Sequence, residues 1–552
     1  MGISSKLQSL LLVAGVLFTL CQENPVFGGS AEATDWGELI YIDPSVEYQV
    51  IDGFGASDAW RCQFVGKNWP DRKKEAIADL LFSRELKEDG SPKGIGLSIW
   101  RFYLGAGSAE QGEASGITSD WRRAECFLNS DGSYDWNKHE GQRWFLNAAA
   151  SRGVERFLAF TIAPPVFYSK NGKAYAPVDG TMNIQAGKMG AYADYLVQVM
   201  AHFKEAGTPF DYLSPVNETQ WDWTGNSQEG TPATNAEVAE LVREISGKLI
   251  QAGLDTRIVV SEAGNLEFLY GSAGKPGREY QIDDFFSSSS PNNISGLANV
   301  PNYISGHSYK TTYPNQKLIS TRQQLGAKLA ASPGKTGYWQ SEYCILEQTS
   351  DIGGGWSRDL TIDTALFVAR VIHFDLTLAN AKSWQWWTAL SQYNFKDGLI
   401  YLDNGDDGIA RPDQPEAESL KYDGYYRESK LLWALGNYSR FVRPGMVRIR
   451  ADFSDPKTED YQAEHLMLSA YKDPGEKQLV MVFVNYSAAE QKVTLVNKGN
   501  GQRLADKVLE CYITSQSESL KIISMDAERM SIPARSVVTL KCNWDDFRHH
   551  ER

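Results

Sequence analysis

Between residues 51 and 387 the chain carries eight short β-rich apolar runs, each followed by a loop rich in Gly, Pro, Asn or Ser and then by a helix candidate. That alternation constrains the fold more than any other feature, because parallel strands need long crossover connections and bury both of their faces. The runs lie at 51–56, 96–103, 156–162, 212–216, 257–261, 303–308, 336–341 and 381–387. Stretches 70–82, 235–252 and 361–379 place apolar residues at helical spacing, and Thr234 or Asn235 is available to cap the second. Eight such β/α units predict an α/β fold, a (β/α)8 TIM barrel, whose working residues sit where the strands end.

The texture changes after a helix at 428–435 and the turn Arg443-Pro444-Gly445. Alternating runs at 479–485, 492–496 and 537–541 read as antiparallel strands of a C-terminal side β-sandwich, to which the stretch 39–50 adds an N-terminal strand. At the front, Lys6 precedes an apolar run at 10–20 and the small residues Gly28, Gly29, Ser30, Ala31 and Ala33, the pattern of a secretory signal peptide too short to span a bilayer. The expected organisation is therefore a signal peptide at 1–33, a sandwich strand at 34–50, the barrel at 51–436 and the side domain at 437–552. It predicts a secreted or periplasmic protein, with Cys21 as an alternative lipid anchor that the bulky Leu20 before it disfavours. Removal of the leader leaves Cys62, Cys126, Cys344, Cys511 and Cys542, an odd number without CxxC spacing, so no disulfide framework is expected.

A formal net charge of -14 opposes nucleic acid or an anionic membrane as partner, since both need a positive field. A neutral substrate fits better; oligomeric state is left open.

Cleavage of a β-glycosidic bond with retention needs one carboxylic acid to protonate the leaving oxygen and one carboxylate to attack the anomeric carbon, about 5 Å apart. Two strand ends supply such a pair. Ser214-Pro215-Val216-Asn217-Glu218 sets Glu218 after the fourth run, and Tyr338-Trp339-Gln340-Ser341-Glu342 sets Glu342 after the seventh. Asn217 is placed to donate to a sugar 2-hydroxyl, and Arg101, in the second run, to keep Glu342 ionised. A lone Glu at a strand end is as often merely solvated; two of them at opposed strands are harder to explain that way.

On these residues the chain resembles glycoside hydrolase family 30, whose members carry an Asn-Glu acid/base on the fourth strand and a Ser-Glu nucleophile on the seventh. The resemblance covers nearly the whole mature chain. It implies that Asp58, in Ile51-Asp52-Gly53-Phe54-Gly55-Ala56-Ser57-Asp58-Ala59, binds sugar hydroxyls in the innermost subsite, and it matches Arg101, Pro164, Pro165, Phe167, His307 and Tyr309 to family positions. Trp387 corresponds to the tryptophan that floors the sugar site, and residues 435–445 are similar to the family's junction between barrel and sandwich. Thr219 and Ile162 depart from many members, which implies an innermost subsite unlike that of the glucosylceramide-cleaving ones. Gln220-Trp221-Asp222-Trp223 with Gln228-Glu229-Gly230 resembles the loop of members that cut β-1,6-galactan, so the resemblance implies an endo-β-1,6-galactanase first, with xylan and β-1,6-glucan as alternatives.

No HExxH occurs and His307 stands alone at its strand end, so neither a metal nor another cofactor is expected. Gly55-Ala56-Ser57-Asp58-Ala59 misses the GxSxG elbow at Ala59, and Cys344, near Glu342, lacks an evident His partner and reads as a small buried residue. Trp221, Trp223 and Trp356 suit either carbohydrate platforms or loop anchors. A non-catalytic carbohydrate-binding protein on a barrel scaffold is the rival of another class; it does not need Glu218, Glu342, Arg101 and Asn217 together.

Overall fold

Strand β1 (Glu38–Val50) precedes the barrel, and the predicted runs appear as β2 (Gly53–Ser57), β3 (Ile99–Leu104), β4 (Arg156–Thr161), β5 (Tyr212–Ser214), β6 (Arg257–Ile258), β7 (Val260–Ala263), β8 (Tyr303–His307), β9 (Gly337–Glu342) and β10 (Ala381–Ser391). The structure is a computed structural model describing residues 37–405 and 418–543, apart from 500, 502, 504–507 and 528. The expected leader, with Cys21, lies outside the described residues.

The barrel strands are parallel and ordered β6-β5-β4-β3-β2-β10-β9-β8-β7. The fifth predicted run is split: β6 pairs with β5, β7 pairs with β8, and Val259 between them donates to the Leu213 carbonyl at 2.9 Å. One stretch of chain thus changes partner halfway along and joins the two edges of the sheet. The interior is filled at its base by Ile99, Leu158, Tyr212, Val259, Tyr303 and Trp339, with the Tyr303 and Trp339 rings stacked 5.0 Å apart. Helices Asp71–Phe82, Asn235–Gln251 and Ile362–Thr377 match the predicted ones, and Thr234 caps the second in a capping box with Glu237.

Two elements differ from expectation. Strand β11 (Gly398–Asp403) runs parallel to β10 and pairs with β12 (Tyr425–Glu428), whose last residue, Glu428, was expected to begin a helix. The helix starts later, at Lys430–Ser439, because the Ser429 side chain caps it by accepting the Leu432 N–H.

The second sheet contains β1 with β13 (Val447–Phe453), β14 (Leu466–Asp473), β15 (Gln478–Asn485), β16 (Gln491–Asn497), β17 (Val508–Thr514), β18 (Lys521–Asp526), β19 (Met530–Ile532) and β20 (Ser536–Asn543), ordered β18-β17-β20-β15-β14-β13-β1-β16-β19. It is antiparallel except where β1 runs parallel to β16, since a strand delivered from before the barrel is bound by no hairpin. Residues 479–485, expected to alternate, instead hold an unbroken apolar run at 479–484 in β15 because both faces are covered: Leu479, Met481 and Phe483 enter the sandwich core, while Val480, Val482 and Val484 join the core shared with the barrel. Arg440 and Arg443 fix the junction, Arg440 Nη1 donating to the Ser83 and Gly94 carbonyls and Arg443 gripping both oxygens of Glu155.

Candidate active site

Alternation along the strands decides which side chains reach the barrel mouth. On β3, Ile99, Arg101 and Tyr103 face inward and Trp100, Phe102 and Leu104 face the helices. The same parity on β9 would turn Glu342 outward. A register shift against β8, between Gly306 and His307, instead sets Glu342 opposite His307, so Ser341 and Glu342 both point into the mouth.

Arg101 Nη1 then donates to Glu342 Oε2 at 2.6 Å, and the Tyr309 hydroxyl donates to Oε1 at 3.0 Å. Arg101 Nη2 donates to Asn217 Oδ1 at 3.1 Å, which leaves the Asn217 amide nitrogen as the donor toward the cleft, and the guanidinium lies 3.6 Å above the Phe160 ring. Glu218 follows β5, and its N–H is bound by the Glu262 carbonyl at 2.8 Å. Glu218 and Glu262 have left-handed backbones, φ 47 and 51, a conformation uncommon for residues with side chains and concentrated at functional sites.

His307 ties the acids together. Its Nδ1 lies 3.0 Å from Glu218 Oε1 and 3.6 Å from Glu342 Oε1, and its Nε2 lies 2.9 Å from Glu262 Oε2. Burial opposes the imidazolium, but the carboxylates of Glu342, Glu218 and Glu262 outweigh it and push the ring up to about 10. For Glu262, burial is likewise outweighed, by Arg101, His307 and the Ser341 hydroxyl, and the carboxyl falls to about 2. Glu218 moves the other way: burial, helped by the charge of Glu342, holds its carboxyl above the ordinary range despite His307. Two cations facing three carboxyl groups balance when one of the three keeps a proton, and Glu218 is the one burial favours for it. One oxygen of Glu218, one of Glu342 and a His307 nitrogen lie within 4.8 Å of one another. Such a trio has the spacing of metal ligands, but both His307 nitrogens already face carboxylates.

Glu218 and Glu342 open onto a cleft of about 920 Å³, whose walls include Asn217, Trp221, Trp223, Tyr309, Trp356 and Trp387. Trp387 lies at a β10 bulge against β2 and stands edge-on to Trp60 at 5.4 Å. Trp221 packs on Phe268 and carries the Lys310 ammonium 4.5 Å from its ring, while the Trp223 indole N–H donates to the Glu218 carbonyl at 3.0 Å. The structure therefore brings Glu218, Glu342, Arg101, Asn217, His307 and Tyr309 into one cluster, with Trp221 and Trp387 on the same cleft. Asp58 lies deeper: it has no exposed surface, its Oδ1 accepts the Tyr103 N–H at 2.8 Å, its Oδ2 has no partner, and burial raises its carboxyl to about 8. Cys344 is buried on the cleft wall, where burial pushes its thiol well up, so it is a poor nucleophile.

Glu262 was not anticipated, although Ser261-Glu262 after the fifth run repeats the Ser-Glu pattern of Ser341-Glu342. Glu262→Gln deprives Arg101 and His307 of a buried counter-charge and is expected to lower stability by about 3 kcal/mol at neutral pH, read from urea denaturation. The folded carboxyl sits near 2, below its unfolded value, so its contribution is full above the ordinary carboxylate range and fades as pH falls toward 2. The gap between wild type and variant should therefore narrow on acidification, and a gap independent of pH would assign the loss to packing instead.

The profile of O-glycosyl hydrolase family 30 matches residues 38–401. An endo-β-1,6-galactanase of Hypocrea rufa is 23% identical over 469 residues, covering 81% of this chain and 81% of that protein. The glucuronoxylanase XynC of Bacillus subtilis is 24% identical over 415 residues, covering 72% of this chain and 78% of its own. A conserved exported protein of Bacteroides fragilis superposes with a TM-score of 0.85 at 38% identity, covering 91% of this chain and all of that one. Among the described residues no helix is long and apolar enough to cross a membrane.

Proposed function

Because the chain belongs to O-glycosyl hydrolase family 30 and is a glycoside hydrolase, we propose that it is a retaining endo-β-1,6-galactanase, with Glu218 as acid/base and Glu342 as nucleophile. The observation that carries the retaining mechanism is the approach of a Glu218 oxygen to a Glu342 oxygen within 4.8 Å, which leaves no room for a water between nucleophilic carboxylate and sugar. Glu218, held above the ordinary carboxylate range, gives its proton to the departing oxygen while Glu342 bonds to the anomeric carbon. The resulting carboxylate of Glu218 then takes a proton from the water that cleaves the glycosyl ester, and the β-configuration returns. Arg101 and Tyr309 each hold one Glu342 oxygen, fixing its approach, and Asn217 is poised to donate to the 2-hydroxyl. Asp58, fully buried and not among the cleft-lining residues, is assigned no contact with the sugar.

β-1,6-Galactan as substrate is supported by the galactanase relative and by the Gln220-Trp221-Asp222-Trp223 loop on the cleft. A second reading, a xylan bearing acidic substituents, is favoured by Arg122 and Lys310, which line the cleft outside any ion pair among the described residues. The leader pattern and the likeness to an exported protein support secretion or a periplasmic location. Initial rates on β-1,6-galactan, glucuronoxylan, β-1,6-glucan and aryl β-glycosides test the substrate, with galactan expected first. Proton NMR of the first product should show the β-anomer; early α-anomer rules out retention.

A further inference from the structure

An indole left in water forgoes the burial that favours folding, so a rigid, bare tryptophan calls for a reason. Trp356 is 75% exposed, and it lines the same cleft as Glu218 and Glu342. No other tryptophan among the described residues is a large exposed hydrophobic.

The loop beneath it is firmly built. Trp356 and Phe395 form an antiparallel bridge, with their rings edge-on at 5.4 Å and 80°. Lys396 donates its N–H to the Gly355 carbonyl at 2.7 Å and its ammonium to the carbonyls of Gly354 at 2.8 Å and Trp356 at 3.1 Å. Ser357 N–H reaches the Asn394 carbonyl at 3.0 Å, and Arg358 N–H reaches Asn394 Oδ1 at 2.9 Å. Gly355 is required at this crossing, since a Cβ there would meet Phe395 Cζ at 2.1 Å and the Ile345 carbonyl oxygen at 2.4 Å. The connections after β9 and β10 are thereby zipped together, and the indole projects from them with only its Phe395 side supported.

A loop anchor would be buried; this ring is not. The backbone that carries it is held before any ligand arrives, which reduces a cost that binding otherwise bears. A flat, uncharged, preorganised surface suits the C–H face of a pyranose, the one apolar surface a neutral polysaccharide offers. We propose that Trp356 is a stacking platform for a sugar ring distal to the scissile bond, so that longer chains gain affinity that short glycosides cannot. This rests on the cleft being the polysaccharide site.

The test uses the full chain carrying Trp356→Ala or Trp356→Phe. The ratio of kcat/KM on a long oligosaccharide to kcat/KM on an aryl β-glycoside should fall about tenfold in Trp356→Ala, chiefly through KM, with Trp356→Phe recovering part of it. A ratio unchanged in Trp356→Ala overturns the platform, as does equal loss on both substrates, which marks a support of the fold. If wild type cuts none of the polysaccharides, the functional reading fails separately. Affinity electrophoresis of Glu342→Gln with and without Trp356→Ala in the same polysaccharides then decides the platform, and unchanged retardation refutes it.

Discussion

Glu342→Gly is expected to lower turnover of an aryl β-glycoside by about 10⁴-fold, equivalent to ~5 kcal/mol in the barrier, and azide should restore part of it as the α-glycosyl azide. The variant removes the attacking oxygens and leaves a gap beside Arg101 and the Tyr309 hydroxyl, the two donors that held them. A small anion fits that gap and meets the same positive surroundings. With Glu218 still able to protonate the leaving group, azide displaces it in one step from the vacated face, which inverts the anomeric centre. Arg101 retains Glu262 at 3.5 Å and Asn217 at 3.1 Å, so it keeps buried partners and the barrel should stay folded. Unimpaired turnover, or a β-glycosyl azide as the rescue product, would remove Glu342 from the nucleophile's role.

Much of this architecture was legible in the sequence because barrel strands, covered on both faces, announce themselves as apolar runs flanked by turn residues. All eight runs became staves, and Thr234 capped its helix as its position suggested. Features set by partners far along the chain were not legible. The exchange of β5 for β8 at Val259 depends on strands dozens of residues away. The bulge that turns Glu342 inward depends on register against Gly306 and His307, and parity counting alone would have pointed it at the helices. The resemblance supplied what parity could not. Left-handed backbones at Glu218 and Glu262 carry no sequence signal, since neither is Gly, Asn or Asp. Glu262 is not called for by the chemistry of a retaining pair, which needs two acids, whereas keeping Glu218 protonated beside charged His307 and Arg101 in a buried site takes a third carboxylate.

Glu218→Ala should separate substrates by their leaving groups. On a polysaccharide, whose departing alkoxide needs a proton, kcat/KM is expected to fall about 10³-fold, or ~4 kcal/mol. On a nitrophenyl glycoside the leaving group departs unaided, so the first step survives and the glycosyl-enzyme accumulates for want of a base. Azide then attacks that intermediate from the face opposite Glu342 and yields the β-glycosyl azide, the mirror of the outcome at Glu342. The pH profile supplies an independent check. In wild type the acid acts only while protonated, so activity holds below the Glu218 pKa and is lost as pH rises through it; burial places that limb above the ordinary carboxylate range. In Glu218→Ala the limb should vanish from kcat/KM on the nitrophenyl substrate. Ala keeps the Cβ that Glu carries at φ 47, so backbone strain is unchanged and cannot account for the loss. Persistence of the basic limb in the variant would place the titrating acid elsewhere, with His307, raised to about 10 between Glu218 and Glu262, the next group to replace.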